Sequence, residues 1–103
     1  MAELTVIWWR AIPAQVVARE GRTTARVQLT SRFQEAIDMA ATRVGLIGTD
    51  DYLNEWHRET RPCGDALDDE AAAEAERLER AYPDSTLDTL VRSGGLTEDG
   101  VTP

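Results

Sequence analysis

The sequence predicts an α+β fold in which a three-stranded antiparallel sheet comes first and three to four helices follow, the first of them packed on one sheet face. Two observations support this prediction. Apolar residues alternate with a period of two up to Leu29, and they recur with a period of 3.6 after Ser31. No segment between the strands is long enough for the crossover that parallel strands require. The two kinds of apolar face are therefore expected to cover each other.

Three strands are predicted, at residues 4–9, 15–19 and 23–29. Glu20 and Gly21 are predicted to form the two-residue turn of a hairpin, because glycine supplies the positive φ that such turns need. This turn fixes the register and puts the apolar residues of the second and third strands on one side. The predicted pairs are Val16 with Ala25, Ala14 with Val27, and Ala18 with Thr23.

The helical pattern starts at Ser31 and stops at Gly45. The apolar face of this first helix carries Phe33, Ala36, Ile37, Ala40, Ala41 and Val44. A second helix is predicted to begin at Thr49 and to include Trp56. Residues 58–64 are polar and contain a proline, which indicates a loop. The remaining helices are predicted at residues 65–82 and, as a short element, at residues 85–93.

A chain of 103 residues predicts one domain, which we place at residues 3–95. Residues 96–103 are expected to form a disordered acidic tail. The sequence contains one cysteine, which excludes an internal disulfide, and its apolar runs are too short for a signal peptide or a membrane span. We therefore expect a cytoplasmic protein that does not bind membranes.

Charge is distributed unevenly along the chain. Six arginines and four acidic residues occur up to Ile47, whereas five arginines and fifteen acidic residues follow it. The net charge of −8 repels phosphate backbones, so nucleic-acid binding is not expected. A local arginine face still suits an acidic protein partner. The same asymmetry permits self-association of a basic sheet with an acidic helix.

The polar face of the predicted hairpin is a candidate partner surface. Arg19, Arg22 and Arg26 project together from it. Either Trp8 or Trp9 projects from the same side, because neighbouring strand residues point in opposite directions. Tryptophan and arginine are enriched at interface hot spots. Two interpretations remain open: the helices cover this tryptophan, or it belongs to the partner surface together with the arginines.

Cys63 is a candidate reactive thiol. It precedes a predicted helix start, where backbone N–H groups together with Arg58 and Arg61 lower a thiol pKa, while Asp65 opposes them. His57 lies in the preceding segment and is a candidate base. The alternative is a structural cysteine in a tight turn. The spacing of His57, Cys63 and Asp65 matches no zinc motif, so no metal site and no cofactor are predicted.

Three blocks of sequence carry a family resemblance. They are Val6-Ile7-Trp8-Trp9-Arg10-Ala11-Ile12-Pro13-Ala14-Gln15-Val16, Arg32-Phe33-Gln34-Glu35-Ala36-Ile37-Asp38 and Pro62-Cys63-Gly64-Asp65. With them, residues 3–95 resemble the small bacterial virulence factor domain family, which is itself similar to a segment of conserved virulence factor C. The resemblance implies an accessory role beside enzymes of methyl-tetrahydrofolate and corrinoid one-carbon metabolism. It supplies no catalytic residues.

The sequence contains no glycine-rich phosphate loop, catalytic carboxylate pair or dinucleotide motif. We therefore expect a small non-enzymatic protein-interaction domain or accessory subunit with a protein partner. The alternative is a thiol- or metal-dependent enzyme centred on Cys63 with His57.

Overall fold

The chain folds into a helical layer on one side of a four-stranded sheet. The computed structural model describes residues 1–97. The strands are β1 (Glu3–Trp9), β2 (Ile12–Glu20), β3 (Thr23–Gln28) and β4 (Trp56–Pro62). The helices are α1 (Ser31–Arg43), α2 (Asp50–Asn54), α3 (Leu67–Ala81) and α4 (Asp84–Arg92). The sheet is antiparallel with the order β3-β2-β1-β4, which confirms the predicted class.

The prediction of three strands is wrong, because β4 is a fourth strand. The sequence places Trp56 in a helix and residues 58–64 in a loop. Instead, β4 pairs with β1 on the side opposite β2, from Trp9 with Trp56 to Glu3 with Pro62. β4 is an edge strand whose residues are mostly exposed, so it shows no apolar alternation. Backbone pairing holds this strand in place, and an apolar pattern could not reveal it.

The β2–β3 hairpin is confirmed, but its turn lies one residue later than predicted. Glu20 pairs with Thr23, so Gly21 and Arg22 are the two turn residues. Gly21 has a φ of 59°, at the first central position where a type II′ turn needs glycine. The turn therefore uses the predicted glycine in a different position.

The register of the hairpin shifts with its turn. Ala18 pairs with Ala25 and Val16 with Val27, two positions further along β3 than predicted. Ala14 is instead the extra residue of β2 where its register with β1 shifts. Because side chains alternate along a strand, a shift of two residues returns each side chain to its predicted face. The apolar side of the hairpin is therefore retained.

Two helices share the apolar side of the sheet, here called the inner face. α1 packs on β2 and against α4, whereas α3 packs across β2 and β3. Phe33, Ile37 and Ala40 of α1 are buried as predicted, but Val44 follows the helix end and is exposed. α3 thus covers part of the inner face that the sequence analysis assigned to the first helix alone. The buried strand residues of the inner face are Leu4, Val6, Trp8, Val16, Ala18 and Ala25.

A charged side chain is buried between α3 and the edge of the sheet. Glu74 is 6% exposed. It accepts hydrogen bonds from Nε and Nη2 of Arg77 at 2.9 and 2.6 Å, and from Arg61 of β4 at 3.4 Å. The Arg77 hydrogen bonds hold the pKa of Glu74 below its ordinary value, although burial opposes them. This ion pair network ties α3 to β4.

The predicted tail at residues 96–103 falls largely outside the described residues, which end at Thr97. Within the described part of the chain, no helix has the length and apolar character needed to cross a lipid bilayer.

Candidate functional site

The side of the sheet opposite the helices is here called the open face. It forms a depression of about 270 Å³ to which all four strands contribute. Every second side chain of each strand points to this side. The lining residues are Glu3, Thr5, Ile7, Gln15, Val17, Arg19, Thr24, Arg26, Arg58 and Thr60. Since α1 and α3 pack on the inner face, the depression is left to the solvent in the part of the chain that the structure describes.

The depression has a small apolar centre with polar surroundings. Ile7 and Val17 are half-buried at this centre. Thr5 pairs with Val17 on one side and Thr60 on the other, and the two threonine hydroxyls are hydrogen-bonded at 2.9 Å. Hydroxyl, amide and guanidinium groups therefore frame two aliphatic side chains. A small apolar centre with a polar rim of this kind is typical of a surface that contacts another protein.

The arginines of the open face differ from the other arginines in having no partner in the part of the chain that the structure describes. Arg19, Arg26 and Arg58 make no hydrogen bond or ion pair within residues 1–97, and neither does Arg22 in the adjoining turn. Every other arginine bonds a carboxylate or a backbone carbonyl. These partnered arginines are Arg10, Arg32, Arg43, Arg61, Arg77, Arg80 and Arg92.

The open face is a basic region on an acidic molecule. Its depression contains three arginines and one carboxylate, Glu3, whereas the chain has a net charge of −8. Glu3 is opposite Arg19 in the β1–β2 register, but the two make no ion pair. An unpaired guanidinium can form a two-bond contact with a carboxylate from another molecule. The face is therefore complementary to an acidic surface.

Trp8 lies on the inner face and does not belong to the open face. Its side chain is buried, and its ring stacks on that of His57 with 6.4 Å between centroids. The edge of Tyr82 approaches it from the helical layer. Trp8 is therefore a core residue, and the structure removes it from the predicted partner surface.

Trp9 points to the same side as the open face, but it is covered. It is 0% exposed. Its Nε1 donates to the carbonyl of Tyr52 at 3.0 Å, and the guanidinium of Arg10 lies 5.2 Å from the ring centroid. The backbone of Gly95 packs against the ring. α2 and the segment after α4 thus close this end of the sheet, and Trp9 is not accessible to a partner.

Of the residues in the predicted partner surface, only the arginines are accessible from the open face. Arg19 and Arg26 line the depression, and Arg22 lies in the turn beside it. Sequence reasoning missed Arg58, because it assigned that segment to a loop. Arg58, Glu59 and Thr60 are all polar, so no alternation in this segment was available to signal a strand. Partner binding by these arginines stays a prediction.

Cys63 follows β4 and is half-buried. Its backbone N–H donates to the carbonyl of Ala2 at 3.1 Å, which continues the pairing of β4 with β1. Burial and the Glu70 and Asp65 carboxylates raise the pKa of the thiol, against the lowering effect of Arg61. The arginine effect expected from the sequence is therefore outweighed, and the thiol is mostly protonated at neutral pH.

His57 is held away from Cys63 by the strand that contains it. Six residues of extended chain span about 20 Å at about 3.3 Å per residue, which is far beyond hydrogen-bond reach. The structure therefore does not bring the candidate nucleophile and base together. Within residues 1–97, no group of three or more histidine, cysteine, aspartate or glutamate side chains is arranged to hold a metal ion.

Comparisons with curated proteins and with solved structures gave no match. The family model described as Virulence factor matches residues 7–91, which include the last three residues of β1, all of β2 to β4, α1 to α3 and most of α4. This match covers most of the chain and agrees with the resemblance of its sequence blocks. The chain belongs to the Virulence factor domain family.

Proposed function

We propose that this chain is a non-enzymatic interaction domain or accessory subunit whose open face binds an acidic surface of a protein partner. The observation that carries the proposal is the contrast among its arginines. Those near the helical layer have partners within the chain, whereas Arg19, Arg22, Arg26 and Arg58 have none within residues 1–97. The sheet separates these four arginines from the acidic residues of the helices, and Glu3 is the one carboxylate that lines the same depression.

The chemistry of the open face supports a protein partner. Ile7 and Val17 offer a small apolar centre, and the arginines around them offer planar donors that match carboxylates. Exposed ion pairs contribute little each, so affinity would come from several contacts made together over the width of the sheet. The charge would chiefly set the rate of association and the choice of partner.

A nucleic-acid partner is disfavoured by two observations. The net charge of −8 repels a phosphate backbone at a distance. Single-stranded nucleic acids also need aromatic rings on which bases stack, and the depression is lined by none. Trp9, which points to this side, is covered.

The family resemblance adds a context to the proposal. We place the accessory role beside enzymes of methyl-tetrahydrofolate and corrinoid one-carbon metabolism, where the partner would be one of those enzymes or a subunit of one. Direct mixing of the purified chain with such enzymes, followed by size-exclusion chromatography, tests this context separately from the role of the open face.

The open face is tested by affinity capture from the native cytoplasm with three forms of the chain. The wild type is compared with the double variant Arg19→Glu, Arg26→Glu and with the control Arg80→Glu, whose arginine lies on α3 and pairs with Glu76. We expect the double variant to lose a partner that the wild type and the control both retain. Binding must then be reproduced with the purified partner and weaken with added salt.

Two results would contradict the proposal. The first is that no specific partner is captured by the wild type. The second is that the double variant binds the purified partner as tightly as the wild type does, since the open face would then not be the contact surface.

The enzyme alternative, centred on Cys63 with His57, is tested by alkylation of the thiol across a range of pH and by elemental analysis for bound metal. We expect slow alkylation at neutral pH, because burial and nearby carboxylates raise the pKa of Cys63. Rapid alkylation at neutral pH, or a metal ion bound in stoichiometric amount, would favour the enzyme.

A further inference from the structure

The sheet separates two surfaces of opposite charge. The open face, with its arginines, lies on one side, and α3 packs on the other. α3 directs Leu67, Ala71 and Leu78 toward the sheet and leaves its opposite side exposed. The acidic groups of α3 therefore cannot reach the open face within one molecule. Any contact between the two surfaces requires two molecules.

The exposed side of α3 carries small and acidic residues as far as Glu76, and Arg77 and Arg80 follow toward its C-terminal end. The part up to Glu76 is here called the outer face of α3. It consists of Asp68, Asp69, Ala72, Ala73 and Glu76. Asp68 and Asp69 have no ion pair within residues 1–97, and Glu76 pairs with Arg80 at 2.8 Å. At 100° per residue these five positions share one side of the helix. Two alanines thus lie between carboxylates.

We propose that the open face binds the outer face of α3 of a second copy of this chain. This inference rests on the proposed function, because it names a partner for the same surface. The two alanines would lie against Ile7 and Val17, and the flanking carboxylates would meet the arginines on either side.

The dimensions of the two surfaces agree. Arg26 on β3 and Arg58 on β4 lie at opposite edges of the sheet, three inter-strand spacings across and two residues along the strands, or about 16 Å apart. We take α3 of the second copy to lie across the strands, so that its axis runs from one of these arginines toward the other. Asp69 and Glu76 are seven residues apart, which is about 10 Å along α3. The arginine separation exceeds the carboxylate separation, and the long arginine side chains can reach inward to close that gap.

The charge pattern also sets the geometry of the assembly. Two open faces repel each other, so a symmetric dimer through this surface is excluded. A basic surface that meets an acidic one on the next molecule gives a head-to-tail contact, which continues into chains or closes into a ring. Each copy has a net charge of −8, and salt near physiological strength screens that overall repulsion more than it weakens close pairs.

The test is a complementation experiment by sedimentation velocity. The face variant is Arg19→Glu, Arg26→Glu, and the helix variant is Asp69→Asn, Glu76→Gln, which removes charge without creating a new attraction to the face variant. Glu35→Gln, which changes an exposed acid on α1, is the matched control. Circular dichroism checks that each variant is folded, and if the face variant is not, Arg19→Gln, Arg26→Gln replaces it.

We expect the wild type and the control to form larger species as concentration rises, and each variant alone to remain monomeric. An equimolar mixture of the two variants retains one intact contact, so it should stop at a dimer. A wild type that stays monomeric at every concentration overturns the inference, as does self-association that either variant preserves or a mixture that stays monomeric. None of these results affects capture of a different partner, so failure here is distinct from failure of the proposed function.

Discussion

The two faces of the sheet differ in how their charged side chains are satisfied. Next to the inner face, Glu74 is buried and satisfied by Arg77 and Arg61. On the open face, Arg19 and Arg26 remain without partners within residues 1–97. An exposed guanidinium is stabilised by water and contributes little to the fold. The difference teaches that residues that stabilise the domain and residues available for binding lie on opposite sides of the same strands.

The largest effect on stability is expected from the inner face, with Ile37→Ala. Ile37 is fully buried in α1, so its loss should lower the free energy of unfolding by about 2–5 kcal/mol. Met39→Ala, on the exposed side of the same helix, is the control and should change it by less than about 0.5 kcal/mol. Chemical denaturation measures both. Equal losses would mean that the two sides of α1 are wrongly assigned.

A smaller loss is expected from Gly95→Ala, at the closed end of the open-face side. Gly95 has a φ of 89°, and a Cβ there would lie 2.8 Å from Cζ3 of Trp9. Strain and displacement of the ring should cost about 1–3 kcal/mol. Gly48 has a similar φ, but no atom lies within 4 Å of the Cβ that Gly48→Ala would add. This control therefore measures the cost of backbone strain without a steric clash. A greater loss at Gly48 than at Gly95 would contradict the packing of Trp9 described above.

The buried ion pair predicts a dependence on pH. The pKa of Glu74 is lowered in the folded chain, so its stabilisation is present above the ordinary value of 4.5 and is lost as pH falls through the lower folded pKa. Glu74→Gln should cost about 1–2 kcal/mol at neutral pH. The difference from the wild type should shrink in acid. Denaturation from pH 7 downward measures it.

Glu76→Gln is the control for this experiment, because its ion pair with Arg80 is exposed on the same helix. It should change stability by less than about 0.5 kcal/mol. A difference between the wild type and Glu74→Gln that stays constant down to the acid limit would show that ionisation of Glu74 does not stabilise the fold.

The smallest effect on stability is expected from Arg26→Ala on the open face, at less than about 0.5 kcal/mol. The side chain is exposed and has no partner within residues 1–97. The same change should weaken capture of an acidic partner. If Arg26→Ala destabilises the chain more than Ile37→Ala does, the open face is part of the core, and the contrast between the two faces fails.

Sequence patterns predicted the elements that bury apolar side chains, and they missed β4, which is held by backbone pairing. The alternation of β2 and β3 and the helical period of α1 arise from residues such as Val16 and Ile37, which are fully buried. β4 has charged residues on both sides, because one side belongs to the open face and the other lies at the margin of the helical layer. No apolar period marks such a strand.

The hairpin illustrates a second limit of sequence reasoning. Both positions for the turn keep every side chain on the same face, so the apolar pattern cannot choose between them. The choice depends on whether Gly21, with its positive φ, is the first or the second central residue of the turn. For the candidate site, the arginines of the hairpin were predictable, whereas Arg58 depended on β4. The covering of Trp9 depended on Tyr52 and Gly95, which are distant in sequence.

The position of β1 has a consequence for the folding kinetics of the chain. This first strand lies between β2 and β4, so its second neighbour is synthesised only after α1 and α2. Closing so long a loop is slow compared with forming the β1–β2–β3 meander. In the folded chain the carbonyl of Gly95 accepts a hydrogen bond from Ala11, and the backbone of Gly95 packs against Trp9. We therefore expect the fluorescence of Trp9 to report the last step of folding, after the meander has formed.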